Sequence, residues 1–155
     1  MFLESRTRDD IPGRAAICGT LRREMPSVAR LSLVILAVHE LTRARRFYVE
    51  AFGWTETVTT PVYVEFALPD GMRLGLYLRE GFSRNTGAPV SLRAPHHTTA
   101  TELYLTVDDL DASVARLEGL GARCLSPAAE RPWGDRAAYF EDPEGNVLVV
   151  VHPRN

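Results

Sequence analysis

Val107-Asp108-Asp109-Leu110 is the stretch that decides the fold, because the chain contains nearly the same pattern earlier, as Val38-His39-Glu40-Leu41. Each copy is followed by a helical pattern and then by an acidic-Gly turn that leads into an apolar strand. These turns are Asp70-Gly71-Met72-Arg73-Leu74 in the first copy and Glu144-Gly145-Asn146-Val147-Leu148 in the second. Two copies of one strand–helix–strands unit predict two half-domains around a shared cleft, where function is expected.

The composition is that of one water-soluble domain. The 155 residues are 45% hydrophobic and 25% charged, which suits a single globular domain with a real core. No apolar run approaches the roughly 18 residues that a membrane span needs. The net charge of −2 gives no electrostatic argument for nucleic acid. We therefore expect neither nucleic acid nor a membrane as partner.

The basic residues and the cysteines indicate the source and the compartment. All 18 basic residues are Arg, which favours a GC-rich bacterial genome. The two cysteines, Cys18 and Cys124, do not form a disulfide framework, and residues 1–30 lack the apolar stretch of a signal peptide. We expect reduced thiols and a cytoplasmic location.

The chain divides into an extension and two repeats. Residues 1–29 are polar and Arg-rich without periodicity, which predicts a flexible N-terminal extension. An arm that clasps a partner subunit is the alternative, and Met25 is a candidate translation start. We place the first βαβββ module at 30–82, a linker at 83–100 and the second module at 101–153.

Local patterns predict the elements of both modules. Apolar residues at helical spacing predict a helix over 41–52, and a second over 110–120 that is capped by Asp109 and ended by Gly121. Residues 81–100 lack apolar rhythm and predict a long loop. Strands are predicted at 31–38, 54–60, 63–68, 73–79, 102–107, 122–126, 136–140 and 146–151, with a loop over 127–135.

Three motifs together resemble the vicinal oxygen chelate superfamily, which contains glyoxalase I, extradiol dioxygenases and the bleomycin and fosfomycin resistance proteins. They are V-x-[DE]-L followed six residues later by Phe47-Tyr48, the turn 142–146 (Asp-Pro-Glu-Gly-Asn), and Trp133-Gly134 just upstream of that turn. The resemblance covers residues 31–153. It implies an α+β fold of two βαβββ modules, with paired curled mixed sheets around a cleft, and a homodimer.

The metal site of the superfamily's enzymes is not retained in the residues. The resemblance places its four ligand positions at Leu33, Gly75, Glu102 and Val149. Transition-metal sites generally need three or more protein ligands, and only Glu102 can bind a cation. We therefore predict a metal-free site without a cofactor. A metal site with shifted ligands, from His39, His96 or His97 together with Glu102, is the alternative.

The residues predicted to line the cleft are mainly apolar and aromatic. Such a surface, with a few polar groups, suits a small organic molecule. Gly75 is expected to leave space where a ligand side chain would project. Trp133 is predicted at the rim and Trp54 in the core. The predicted ligand-binding residues are Glu102, Tyr104, Leu33, Tyr77, Glu65, Trp133 and Val149.

Glu102 has two interpretations. A carboxylate that faces an apolar cleft is costly unless it is paired. It is either an anchor for a cationic or hydrogen-bonding ligand, or a general base, or it forms a structural ion pair with Arg73, Arg79 or Arg136.

No nucleophile with a His at interpretable spacing and no Gly-rich phosphate loop is present in the sequence. The sequence predicts a metal-free, glyoxalase/bleomycin-resistance-like homodimer that sequesters a small molecule or carries out metal-independent chemistry. A metal-dependent lyase, isomerase or dioxygenase of the same superfamily is one alternative. A non-catalytic sensor or partner subunit is the other.

Overall fold

The computed structural model describes residues 29–91 and 97–153. All but the last residue of the predicted extension, including Cys18 and Met25, lies outside the described residues, as does His96. The chain divides into two units, residues 1–30 and 31–155, and both repeats lie in the second unit. No helix among the described residues is long and apolar enough to span a membrane.

Module 1 is a four-stranded mixed sheet with two helices. Its strand order is β1-β4-β3-β2, with β1 parallel to β4 and the other neighbours antiparallel. Its elements are β1 (Val34–Val38), α1 (Leu41–Phe52), β2 (Thr55–Thr59), β3 (Tyr63–Ala67), β4 (Arg73–Leu78) and α2 (Arg79–Thr86).

Module 2 repeats this topology. Its strand order is β5-β8-β7-β6, again with one parallel pair, β5 with β8. Its elements are β5 (Glu102–Thr106), α3 (Leu110–Gly119), β6 (Arg123–Glu130), β7 (Arg136–Glu141) and β8 (Val147–His152). The repeated βαβββ topology confirms the predicted α+β fold of two modules.

The main core lies on the helix side of both sheets. Tyr48 of α1, Phe66 of β3 and Phe140 of β7 are fully buried in one continuous apolar cluster that includes residues of both modules. Trp54 packs against this cluster and stacks on Phe52, with ring centroids 4.7 Å apart, so its predicted core position is confirmed. We call the face of each sheet opposite its helix the open face.

The turn 142–146 joins the two modules. The Glu144 carboxylate accepts hydrogen bonds from the backbone amides of His39, at 2.7 Å, and Glu40, at 3.0 Å, where α1 begins. The Tyr48 hydroxyl donates to Asp142 at 2.8 Å. Burial raises the pKa of Asp142, although hydrogen bonds from Asn146 and Tyr48 oppose the rise. The turn is therefore a contact between modules as well as a hairpin.

Two elements differ from the prediction. α2 occupies 79–86, where we expected a strand end and then a linker, so the predicted linker of 83–100 begins with the second half of a helix. The helix ends at Gly87, whose positive φ of 71° suits glycine. β6 continues to Glu130, through part of the predicted loop 127–135. It is the outer strand of its sheet and carries register shifts, which is why it accommodates Pro127.

Candidate functional site

The open face of module 2 carries a small apolar cluster that is separate from the main core. Strand pairing places Glu102 opposite Val147 and Tyr104 opposite Val149, so these side chains share one face. The buried members of the cluster are at most 7% exposed, although no helix within residues 29–91 and 97–153 contributes to the cluster. They are Ala137, Val147, Val149 and Val151, with Leu125 and Tyr139 packed against them.

A depression of about 390 Å³ opens at one end of this cluster. Apolar side chains of β6, β7 and β8 form part of its lining, and the segment that precedes β5 forms the rest. Its lining residues are Thr98, Thr99, Ala100, Thr101, Glu102, Leu125, Tyr139 and Val147.

Glu102 contributes a carboxylate to the lining of this depression. It is exposed, and within residues 29–91 and 97–153 it has no hydrogen-bond or ion-pair partner. The three arginines suggested as its partners are engaged elsewhere: Arg73 with Glu65 at 3.0 Å, Arg79 with Glu144 at 3.6 Å and Arg136 with Asp111 at 2.9 Å. The arrangement therefore favours the anchor interpretation of Glu102 over a structural pair.

Tyr104 and Trp133 meet above the strands. The Trp133 Nε1–H donates to the Tyr104 hydroxyl at 3.0 Å, and that hydroxyl donates to the Asp135 carboxylate at 3.2 Å. Burial, together with Asp135, raises the pKa of Tyr104, and the Trp133 bond opposes the rise. Trp133 is 55% exposed, and its place at the rim of a ligand site stays a prediction.

The open face of module 1 carries a satisfied polar cluster. The buried Glu65 carboxylate accepts from the Tyr63 hydroxyl at 2.7 Å and from Arg73 at 3.0 Å, with Thr57 at 3.5 Å. Tyr63 and then Arg73 hold the pKa of Glu65 below its usual value, against the effect of burial. Burial and the Glu65 carboxylate raise the pKa of Tyr63 to about 12.

Gly75 does not leave space for a ligand. A Cβ at Gly75 would lie 2.7 Å from the Tyr63 hydroxyl and 3.1 Å from Ile35. Tyr63 therefore fills the position that we expected to be open, and Tyr77 packs edge-on against it at 5.7 Å. Leu33 is half-buried just before β1. The predicted site residues thus fall in two different modules: Leu33, Glu65 and Tyr77 in module 1, and Glu102, Tyr104, Trp133 and Val149 in module 2.

The four positions where the superfamily's enzymes hold a metal do not fit one here. Leu33, Gly75 and Val149 offer no side-chain donor, and Val149 is fully buried. The described part of the chain contains no group of three or more His, Cys, Asp or Glu residues arranged to hold a metal ion. His39 and His97 are exposed and belong to no such group, whereas His96 lies outside the described residues.

Several lining residues were not predicted from the sequence. Leu125 was predicted in a strand without an assigned face, and the bulges in β6 obscure its alternation. Residues 98–100 were predicted as linker and Thr101 as the first residue of the second module, because these residues carry no pattern that indicates a wall of a site. Asp135, which lies outside the lining and accepts from the Tyr104 hydroxyl, is in a loop whose path depends on contacts between distant residues. The Trp133-Gly134 pair was the only sequence pattern in this loop that indicated a site residue, and it indicated Trp133 alone.

Comparisons with known proteins agree with the topology. A sequence model described as the glyoxalase/bleomycin resistance protein/dioxygenase superfamily matches residues 30–150. An uncharacterised protein of Mycobacterium bovis is 31% identical over 127 residues, covering 76% of this chain and 80% of that protein. An uncharacterised protein of Bacillus subtilis is 24% identical over 128 residues, covering 78% and 96%.

Solved structures show the same fold. A glyoxalase-related enzyme from Fulvimarina pelagi superposes with a TM-score of 0.72 at 23% identity, covering 81% of this chain and 88% of that one. A glyoxalase/bleomycin resistance protein/dioxygenase from Nocardioides gives 0.70 at 25% identity, covering 83% and 86%.

Proposed function

This chain belongs to the glyoxalase/bleomycin resistance protein/dioxygenase superfamily, and from that premise we propose that it binds a small organic cation on the open face of module 2, without a metal ion. The observation that carries the proposal is the unpartnered Glu102 carboxylate in the lining of an apolar depression. The activity is sequestration of the bound molecule or metal-independent chemistry on it.

The lining defines the class of ligand. A carboxylate beside Leu125, Tyr139 and Val147 pairs best with an ammonium or another strong donor attached to an apolar body. The apolar body gains about 0.8 kcal/mol for each methylene that it buries. A volume of about 390 Å³ lies at the small end of the range of ligand pockets, so a compact molecule fits.

The absence of a metal is proposed from the donor set. One carboxylate among Leu33, Gly75 and Val149 does not complete a transition-metal site. Elemental analysis of untagged protein should find less than one equivalent of Zn, Ni, Mn or Fe. About one equivalent that is lost in Glu102→Ala would contradict this part of the proposal.

We also propose that the protein is a homodimer, as the resemblance implies. The apolar side chain of Ile35, on the open face of module 1, remains 39% exposed in the single chain. A second copy that covers this face would remove it from water and leave the depression on module 2 accessible. Light scattering at micromolar concentration should give about twice the 17.3 kDa chain mass. A monomer at that concentration would count against it.

Ligand binding is tested with hexylamine and hexanoate, which share an apolar body and differ in the sign of the head group. Calorimetry should show binding of hexylamine that is at least tenfold tighter than that of hexanoate. Glu102→Gln should weaken hexylamine binding by roughly tenfold, because a charge-assisted hydrogen bond is lost while partial exposure screens the charge. The melting temperature without ligand should not change.

The matched control is Glu118→Gln, which removes the same charge from the exposed surface of α3. It should leave hexylamine binding unchanged. Equal affinity for the amine and the acid, or equal effects of the two substitutions, would refute the anchor role of Glu102.

A further inference from the structure

Arg131, directly after β6, is a half-buried cation without a counter-ion. Its guanidinium forms no ion pair within the described part of the chain. It donates instead to neutral oxygens: Nη2 to Ser126 Oγ at 3.0 Å and to the Pro127 carbonyl at 3.1 Å, and Nη2 and Nε to the Ala137 carbonyl at 2.9 and 3.3 Å. The positive charge is therefore held in place but not neutralised.

The same guanidinium bridges the irregular part of the β6–β7 pairing. The register between these two strands shifts twice between Cys124 and Ala129. Such bulges leave backbone groups without partners in the ladder, and the guanidinium supplies donors there. Its acceptors Ser126 and Pro127 belong to β6, and Ala137 belongs to β7. The fold thus fixes the position of this cation, unlike that of a freely moving surface side chain.

Tyr139 connects this cation to the depression on the open face of module 2. The Arg131 Cζ lies 4.8 Å from the centroid of the Tyr139 ring, within the range of a cation–π contact. The same ring lines the depression. The Arg131 Nη1 atom donates to no described residue, and only Arg79 Nε is a buried side-chain atom without a partner among those residues. Nη1 is therefore open to solvent beside the aromatic wall.

Glu102 lies on the other side of the depression. It belongs to β5 and Tyr139 to β7, with β8 between them, so two strand spacings of about 10 Å separate them. Val147 of β8 is directly opposite Glu102 in register and lines the depression between the two sides. An apolar floor thus separates an unpartnered carboxylate from a cation that has no counter-ion.

Two other carboxylates of this region already have donors. Glu141, opposite Val147 on β7, accepts from Arg123 at 2.6 Å. Asp135 accepts from the Tyr104 hydroxyl at 3.2 Å. Neither forms an ion pair with Arg131. The charge of Arg131 therefore remains available to a ligand.

We propose that Arg131 gives the depression a positive side opposite Glu102, so that the site selects a zwitterion. The ligand class is an ω-amino acid, or another molecule with a cationic group and an anionic group at the two ends of an apolar spacer. A molecule with a second cation at the far end is disfavoured. This inference rests on the proposed function, because Glu102 binds the cationic end, and it narrows the class of ligand.

The first test compares 6-aminohexanoate with 1,6-diaminohexane on the wild type by calorimetry. The two molecules share the ammonium group and the spacer and differ in the sign of the second charge. Attraction in place of repulsion by one partly screened charge should make the amino acid bind roughly tenfold more tightly. The net charge of −2 on the protein favours the diamine, so the expected order requires a local cation. Equal affinity, or tighter binding of the diamine, would overturn the proposal.

Chain length provides a second test on the wild type. The affinity ratio of amino acid to diamine should increase from the four-carbon pair to the six-carbon and eight-carbon pairs, because the second charge approaches Arg131 more closely. A ratio that does not depend on length would mean that the discrimination does not arise at the far side of the depression, against the proposal.

Substitutions of Arg131 separate its charge from its structural role. Arg131→Gln and Arg131→Lys both lose bonds across the bulge, so both should melt at a lower temperature than the wild type. Arg131→Lys retains the charge and should keep most of the tenfold ratio, whereas Arg131→Gln should bring the ratio close to one. The matched control is Arg84→Gln, which removes an exposed charge from α2 and should leave the ratio unchanged. An unchanged ratio in Arg131→Gln would refute the role of Arg131.

The same titrations distinguish this inference from the proposed function. If hexylamine binds through Glu102 and the amino acid is not preferred to the diamine, the proposed function stands and the zwitterion is wrong. If hexylamine does not bind, but hexanoate and 6-aminohexanoate bind and are weakened by Arg131→Gln, the cation anchor is wrong and the positive side stands. If none of the three molecules binds, both proposals are refuted.

Discussion

The two modules share a topology, but their open faces use a carboxylate in opposite ways. In module 1, Glu65 is buried and accepts hydrogen bonds from Tyr63 and Arg73. In module 2, Glu102 is exposed and has no partner within the described part of the chain. A carboxylate that is fully hydrogen-bonded stabilises its surroundings, whereas an unpartnered one remains available to a ligand. The two copies of the fold therefore differ at this carboxylate, and this difference is the reason that ligand binding is proposed for module 2 and not for module 1.

The beginnings of the two helices show a second difference. In module 2, the Asp109 side chain accepts from the Ala112 amide at 2.9 Å and caps its own helix. In module 1, Glu40 occupies the same position of the motif and makes no side-chain cap. Glu144 of module 2 accepts from the amides of His39 and Glu40 instead. The first copy of the motif thus depends on the second module for its cap.

The largest expected effect contrasts the two carboxylates. Glu65→Ala strands the Tyr63 hydroxyl and Arg73, and should lower the free energy of unfolding by about 2–4 kcal/mol. Glu102→Ala removes an exposed side chain and should change it by less than about 0.5 kcal/mol. Urea unfolding of both variants provides the measurement. Similar losses in the two proteins would mean that Glu102 has a structural role and that the contrast between the modules is wrong.

The second-largest expected loss of stability distinguishes the cap of α1, supplied by Glu144, from the cap of α3, supplied by Asp109. Glu144→Ala removes a charged acceptor from two backbone amides and also the carboxylate beside Arg79, so it should lower the free energy of unfolding by about 2 kcal/mol. Asp109→Ala removes an ordinary N-cap and should lower it by about 1 kcal/mol.

The steepness of the unfolding transition is a second measurement on the Glu144→Ala and Asp109→Ala variants, and the same urea titrations provide it. Glu144→Ala should broaden the transition, because module 1 loses a contact with module 2, whereas Asp109→Ala should keep the wild-type slope. Equal slopes in the two variants would indicate that the turn 142–146 caps α1 without coupling the modules.

Much of the fold could be predicted because it depends on local patterns. The helix over 41–52 and the Asp109 cap follow from apolar spacing and from a residue with strong cap preference, and both were correct. The core position of Trp54 follows from its place directly after that helix. The strand predicted over 63–68 is present as β3, Tyr63–Ala67.

The candidate site was less predictable, because its chemistry depends on contacts between residues distant in sequence. A glycine indicates space, but only the structure shows that the Tyr63 ring fills the space at Gly75. The sequence offered three arginines as partners of Glu102, and each has another carboxylate nearby in the fold. The sequence did not predict α2, because its residues show no regular spacing of apolar side chains and only Gly81 among them is buried.

The smallest expected effect is a pH dependence that isolates the carboxylate of module 1. The pKa of Glu65 is lowered below its usual value of 4.5 by Tyr63 and Arg73. A lowered pKa in the folded state contributes stability that is present above 4.5 and is lost as pH falls through the lowered value. Burial raises the pKa of Asp142, so its contribution has the opposite sign, and the wild-type pH profile alone is not diagnostic.

The useful quantity is therefore the difference in unfolding free energy between wild type and Glu65→Gln, in which the Asp142 contribution cancels. This difference should be largest near pH 7 and should shrink as pH falls below about 4.5 toward 3, because protonation of Glu65 removes in the wild type the charge that Gln already lacks. Tyr63→Phe removes the largest cause of the lowered pKa, so in that background the change between pH 7 and pH 3 should be smaller. Urea titrations at pH 7, 5, 4 and 3 measure it. A difference that stays constant across this range would show that the Glu65 charge does not stabilise module 1, and the contrast with Glu102 would then rest on burial alone.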